Sequence, residues 1–278
     1  MRKFLFALTA LLLLAPTLYA QSFTTEACNG DEGHTTDNLW FFGHRERVCE
    51  LRKTVLPSRG ELKISNRNGG IEVIGQDRND IALEARVVAT AGSRDDAESV
   101  AHQVKIALGD TIHADGPSTS IFTLRSWYVN YRLLVPRHLA AQLHTVNGGI
   151  ELSGLDGNDT AETTNGGISL RDLAGEVHAR TTNGGINATL SGDRWNGAGL
   201  FAGTTNGGIS VSLPAQYSAH LVASTTNGGI SVGLPLSGAR TTGRHIDANL
   251  GTGGATVQFE TTNGGVSLNR NSSRHDSE

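Results

Sequence analysis

Six acids lie close together near the middle of the chain: Glu151, Asp156, Asp159, Glu162, Asp172 and Glu176. Carboxylates projecting from one outer face of a parallel β-helix can cleave polysaccharides. One protonates the leaving oxygen while another acts as base or nucleophile. The set therefore raises the expectation of a carbohydrate-active lyase or hydrolase. The later coils have few acids to extend the row, and solvated surface charge is the competing reading. Ten histidines are scattered without an H-x-x-x-H pair. His113-Ala114-Asp115 is the nearest approach to a ligand pair, and no metal is expected. The sequence has no Gly-x-Ser-x-Gly elbow and no P-loop. Its glycine-rich runs lack the aspartates of calcium-binding repeats. The expectation is a non-catalytic protein without a cofactor.

Hydroxyl groups offer a second chemistry. Thr164, Thr182, Thr205, Thr226 and Thr262 each precede an Asn-Gly-Gly run, and Ser169, Ser210, Ser231 and Ser267 follow one. If these positions face outward and stack, they form rows of hydroxyls. Such rows suit a repetitive ligand: a glycan, a surface polymer or ice. The plainer reading is that Thr and Ser are simply good, soluble strand residues.

The repeat positions these groups. Asn-Gly-Gly followed by Ile or Val begins at Asn68, Asn147, Asn165, Asn183, Asn206, Asn227 and Asn263, and the last six are spaced by 18, 18, 23, 21 and 36 residues. A worn copy, Thr241-Thr242-Gly243-Arg244-His245-Ile246, divides the gap of 36 into 16 and 20. Self-similarity at this period indicates one supersecondary unit stacked on itself. In one unit Val177, Ala179, Thr181 and Asn183 alternate with His178, Arg180 and Thr182, the period of a half-buried strand. After Asn183 the phase slips, and Ile186 points inward again. A corner explains the slip, with the glycines allowing positive φ. The competing reading is an Asn-Gly hairpin between antiparallel strands.

The fold class expected is all-β: a β-solenoid of about 18–23-residue coils with a β-rich N-terminal cap carrying one short helix. Asn147, Asn165, Asn183, Asn206, Asn227 and Asn263 would point inward and stack as a side-chain ladder that satisfies their amides. In the front half, Ile81, Leu83, Ala85 and Val87 alternate as a strand, and Ser93 with Asp96 resembles a helix start. Strands follow around 105–112, at 121–124 and from Val129 to Val135. Two features depart from the repeat and could form a small binding lip or be loop variation: Gly243-Arg244-His245, and Arg194 with Trp195.

Bulk properties set the context. Arg2 and Lys3, the apolar stretch Phe4 to Leu14, and Leu18-Tyr19-Ala20 read as an export signal over 1–20. No later stretch is apolar for the roughly 18 residues a bilayer requires. A periplasmic or extracellular protein that does not span the membrane is expected. A net charge of -4 and a pI near 6.2 give no basic footprint, so nucleic acid is not expected as a partner. An envelope or surface component such as a glycan is. In an exported chain Cys28 and Cys49 are expected to form a disulfide within a segment 21–60. The remaining boundaries expected are 61–136 for the cap and first coil, 137–270 for the repeat solenoid and 271–278 for a polar tail.

Asn68-Gly69-Gly70-Ile71-Glu72-Val73-Ile74-Gly75, the helix at 95–104, and Tyr131-Arg132-Leu133-Leu134-Val135-Pro136 leading into Asn147-Gly148-Gly149-Ile150-Glu151-Leu152-Ser153-Gly154 occur in a familiar order. Over about 60–270 that order resembles the bacterial "putative adhesin" family of unknown function, whose exported members look like β-solenoids. The resemblance implies a β-solenoid and brings no catalytic residues with it.

Overall fold

The computed structural model describes residues 22–28, 45–119, 124–234 and 236–271; the expected export signal and nearly all of the polar tail lie outside them. Each repeat is a coil made of a long strand, a corner, a short strand and a return. Coil I consists of Glu61–Asn68 and Ile71–Gln76, coil II of Ala140–Asn147 and Ile150–Ser153, and coil III of Asn158–Asn165 and Ile168–Arg171. Coil IV consists of Glu176–Asn183 and Ile186–Thr189, and coil V of Gly199–Asn206 and Ile209–Leu213. Coil VI is Ala219–Asn227 with Ile230–Val232, and coil VII is Thr256–Asn263 with Val266–Arg270. Long strands pair in parallel in one sheet and short strands pair in parallel in another, with matching registers such as Val177↔Leu200 and Ile186↔Ile209. The two strands flanking a corner therefore belong to different sheets, which rules out the hairpin reading for the intact repeats.

One continuous core runs between the sheets, from Leu56 through the coils to Leu268. Val177, Ala179, Ile186 and Ala188 are at most 1% exposed, as the alternation requires. The Asn residues depart from the sequence phase. Thr181 is buried, but Thr182 and Asn183 are both exposed, so the bend begins at the second Thr and Asn183 lies on the outer rim of the corner. Stacking persists there because a primary amide both donates and accepts. Asn147 Nδ2 donates to Asn68 Oδ1 at 2.8 Å, and Asn165, Asn183 and Asn206 each donate to the preceding Asn at 2.9 Å. The ladder continues from Asn263 to Asn206 at 2.8 Å and from Asn227 to Asn263 at 2.9 Å. Beneath it the first Thr of the corner in coils II to VII donates to a glycine carbonyl of the adjoining coil, as Thr181 does to Gly166 O at 2.8 Å.

The first glycine of each corner is required by close approach. A Cβ on Gly148, Gly166, Gly184, Gly207 or Gly264 would stand 2.0 Å from the carbonyl oxygen of the first glycine in the adjoining coil. Positive φ is not what the corners share: φ is +116° at Gly69, while Gly148, Gly166, Gly184, Gly207 and Gly228 lie outside that region.

The stack does not follow chain order. Coil VII lies between coils V and VI, in both sheets, so the spatial order is I–II–III–IV–V–VII–VI. The gap of 36 residues therefore does not contain another coil. The worn copy instead forms the antiparallel hairpin Ser237–Thr242 and His245–Leu250, which pairs with coil VI at the edge of the long-strand sheet. Its Gly-Arg turn joins Thr242 to His245.

Residues before coil I and between coils I and II extend both sheets beyond coil I. Ser126–Pro136, Asp80–Ala91, Glu46–Pro57 and Thr24–Ala27 continue the short-strand sheet, and Ile112–Asp115 with Lys105–Leu108 continues the other. The helix Arg94–Gln103 starts at Ser93, whose hydroxyl accepts from Asp96 N, and it buries Ala97, Val100 and Ala101. Residues 120–123, which include most of the strand expected at 121–124, lie outside the described residues. Cys28 and Cys49 are joined, with their Cα atoms 5.5 Å apart, where Thr24–Ala27 meets Glu46–Pro57.

Candidate functional site

Parallel register fixes which outward residues become neighbours. On the long-strand sheet the second threonines of five coils form one row, in the order Thr164, Thr182, Thr205, Thr262 and Thr226. Coil VII contributes Thr262 between Thr205 and Thr226. Strand spacing of about 4.8 Å makes it roughly 19 Å long. The next outward row along the strands is His144, Glu162, Arg180, Gly203, Glu260 and Ser224, each paired in register with the next.

These two rows line an open groove of about 510 Å³. Gly203 leaves the middle of the groove without a side chain. Phe201, two residues back on the same strand, fills the space, because a Cβ on Gly203 would lie 3.0 Å from its Cε1. The Arg180 guanidinium carbon stands 4.3 Å from the centre of the Phe201 ring, a cation–π distance. The lining thus combines threonine hydroxyls, a stacked Arg–Phe pair, an imidazole and two carboxylates, Glu162 and Glu260. Opposite charges alternate along the floor, which favours a polar ligand of low net charge over a polyanion.

Arg180, Phe201 and Gly203 were not among the residues singled out from the sequence. The signal was the strand phase: with Leu200, Ala202 and Thr204 inward, Phe201 and Gly203 must face out, where the other coils are mainly polar.

The serines do not join the threonines. Ser169, Ser210, Ser267 and Ser231 lie in register on the short-strand sheet, in a row that Asn187 interrupts between Ser169 and Ser210. The expected rows of hydroxyls therefore lie on two different sheets, and only the threonine row borders the groove.

The six clustered acids disperse. Glu151 is on the short-strand sheet, paired with Arg171 at 2.7 Å. Asp156 lies in a return, 2.6 Å from His138 Nδ1. Glu162 lines the groove, and Glu176 is on the same sheet, 3.1 Å from His178 Nε2. Asp172 turns a return with φ of 51°. Asp159 is 1% exposed, in a row whose other members include Ala141 and Val177. Its Oδ1 accepts from Ala141 N at 3.0 Å, and its Oδ2 has no hydrogen-bond partner among the described residues. Burial raises the Asp159 pKa to about 7, the Ala141 amide opposes the rise, and Asp156 adds to it. A different trio of acids, Glu72, Glu84 and Glu151, lines a groove of about 490 Å³ on the short-strand face together with Arg86 and Arg132. Glu72 lies 3.5 Å from Arg132.

Trp195 is no part of a lip. It is 5% exposed, and its indole N–H donates to Gly175 O at 3.0 Å, filling the longer return between coils IV and V. Among the described residues there is no group of three or more His, Cys, Asp or Glu side chains that could hold a metal, and no helix is long and apolar enough to cross a membrane.

Residues 138–269 match the Toastrack DUF4097 family. No curated protein shows a significant match. Solved structures similar to the chain include a "putative cell adhesion protein" from Clostridium sporogenes, at 12% identity and a TM-score of 0.36, covering 79% of this chain and 99% of that one. A "putative adhesin" from Bacteroides fragilis has 9% identity and a TM-score of 0.37, covering 80% and 96%. A "putative lipid binding protein" from Parabacteroides distasonis has 11% identity and a TM-score of 0.30, covering 81% and 97%.

Proposed function

We propose that this chain, whose residues 138–269 match the Toastrack DUF4097 family, is an exported, non-catalytic binding protein of the cell envelope or surface. Its ligand is an extended, weakly charged, polyhydroxylated polymer such as a surface glycan. The polymer lies along the coil axis across Thr164, Thr182, Thr205, Thr262 and Thr226, beside Arg180 and Phe201. The observation that carries this reading is the unbroken threonine row at the rim of the groove. Hydroxyls repeating at strand spacing offer a periodic polymer the same donor and acceptor at every rung, and the Arg–Phe pair supplies one anchor that distinguishes register. The adhesive role in the names of similar solved proteins agrees with such a surface without identifying the ligand.

The test is binding of the folded protein to a panel of bacterial surface polysaccharides. Thr182→Val, Thr205→Val and Thr262→Val, three adjacent rungs, are combined in one variant. The expected result is at least a tenfold loss of binding with an unchanged thermal melt, because Val keeps the strand shape. Undiminished binding by the triple variant rejects the threonine face.

A polysaccharide-cleaving activity is the second reading, favoured by Glu72, Glu84 and Glu151 in one groove. The arginine partners of Glu72 and Glu151 weigh against it, since both carboxylates are already engaged by guanidinium groups. Release of reducing ends by the unmodified protein, lost in Glu151→Gln, would favour this reading over binding.

A further inference from the structure

Coil VII occupies a slot that the preceding chain holds open. Leu213 ends coil V and Ala219 begins coil VI, yet the two coils are not neighbours. Thr256–Asn263 lies between their long strands and Val266–Arg270 between their short ones. The far wall of the slot thus precedes its occupant in the chain.

Both walls make the same contacts with the occupant. Asn263 donates to Asn206 at 2.8 Å, and Asn227 donates to Asn263 at 2.9 Å. Thr261 Oγ1 donates to Gly207 O at 2.8 Å, and Thr225 Oγ1 donates to Gly264 O at 2.8 Å. Phe259, 0% exposed, stands in register between Ala202 and Ala223, so the occupant also fills the core between the two walls.

The coil is joined to coil VI and its hairpin through 251–255, where Gly251, Gly253 and Gly254 have φ of 53°, 76° and 140°. Glycine leaves such conformations for extended ones at little cost, which gives the link the character of a hinge.

We infer that coil VII is an exchangeable rung, so that the slot of one copy accepts coil VII of a second copy. Reciprocal exchange makes a dimer in which every ladder, corner and core contact is retained and only the link 251–255 changes course. The dimer carries two threonine faces, and a polymer reaching both is held by avidity without any new contact.

Ser210 and Ser267 are register partners on the outer side of the short-strand sheet, which allows exchange to be trapped. Chains carrying Ser210→Cys alone and Ser267→Cys alone are unfolded together, refolded at high concentration and oxidised. The double variant in one chain serves as control for cross-linking geometry. The expected result is a covalent dimer containing one chain of each kind. In parallel, a variant lacking Thr252 and Gly253 has a link too short for its own slot, and light scattering should show its mass doubled. A natively folded monomer from the shortened variant overturns the inference, and that mass decides the matter if the control does not cross-link. With a cross-linking control, the absence of a covalent dimer from the mixed single-cysteine chains also overturns it. Neither readout depends on ligand binding, so failure here leaves the proposed function standing.

Discussion

Replacing Gly184 by Ala tests whether the repeat glycines are demanded by stacking or by backbone conformation. The new Cβ would lie 2.0 Å from Gly166 O, whereas real Cβ atoms essentially never come within 3.0 Å of such an atom. Corners III and IV must therefore separate by about 1 Å locally. That separation stretches four hydrogen bonds: Gly166 N to Asn183 O at 3.0 Å, Ile168 N to Gly185 O at 3.0 Å, Asn183 to Asn165 at 2.9 Å, and Thr181 to Gly166 O at 2.8 Å. At about 0.5–1.5 kcal/mol each, losing most of them costs roughly 2–5 kcal/mol. A stiffer unfolded chain returns about 0.4–1 kcal/mol, leaving a net destabilisation of about 2–4 kcal/mol. Gly229 is the comparison, since a Cβ there meets nothing within 4 Å. Gly229→Ala should be neutral, or stabilising by less than about 1 kcal/mol. Gly185→Ala, whose Cβ would lie 3.2 Å from Gly208 O, should fall between the two. Urea unfolding followed by far-ultraviolet circular dichroism gives the three values. If Gly184→Ala and Gly229→Ala agree within about 0.5 kcal/mol, the corners tolerate a side chain and the close-approach argument fails.

Three other outcomes are expected. Asn183→Ala removes one ladder bond to each neighbour and should cost about 1–2 kcal/mol; Asn227→Ala removes its single bond to Asn263 and should cost about half as much by the same urea assay. Asp159→Asn should abolish a pH dependence of stability. The folded pKa of about 7 exceeds the ordinary 3.8, so the folded chain holds the proton longer, and stability falls as pH rises from about 4 to about 7 and is level above. The Asn variant should therefore match the parent near pH 3.5 and exceed it by roughly 4 kcal/mol at pH 8.5; equal urea midpoints at pH 8.5 would mean that the carboxylate is solvated. Trp195→Phe should lose the indole bond to Gly175 O while keeping most of the apolar burial, lowering stability by about 1 kcal/mol in the same assay.

The coil was legible in the sequence because its signals are local. Alternation of Val177, Ala179 and Thr181 identifies a half-buried strand, and recurrence of the corner makes the strands parallel without any knowledge of the partner. The helix at Arg94–Gln103 was legible for the same reason, as Ser93 and Asp96 form a cap within one turn. The rim position of the Asn ladder was less so, because alternation says where a residue would point if the strand ran straight, and the bend begins one residue early. Spatial order was not legible at all. Every corner presents the same Thr, Asn and glycine contacts, so coil V fits coil VI as well in sequence as it fits coil VII. What sets coil VII apart is bulk, with Phe259 between Ala202 on one side and Ala223 on the other. Spatial order also decides the candidate site. Without coil VII in the slot, Thr262 would leave the threonine row and Glu260 would leave the floor beside Gly203. The repeat motif builds the wall, while the rare large or missing side chains, Phe259 inside and Phe201 with Gly203 outside, determine where in that uniform wall a ligand or another chain can be told apart from the next rung.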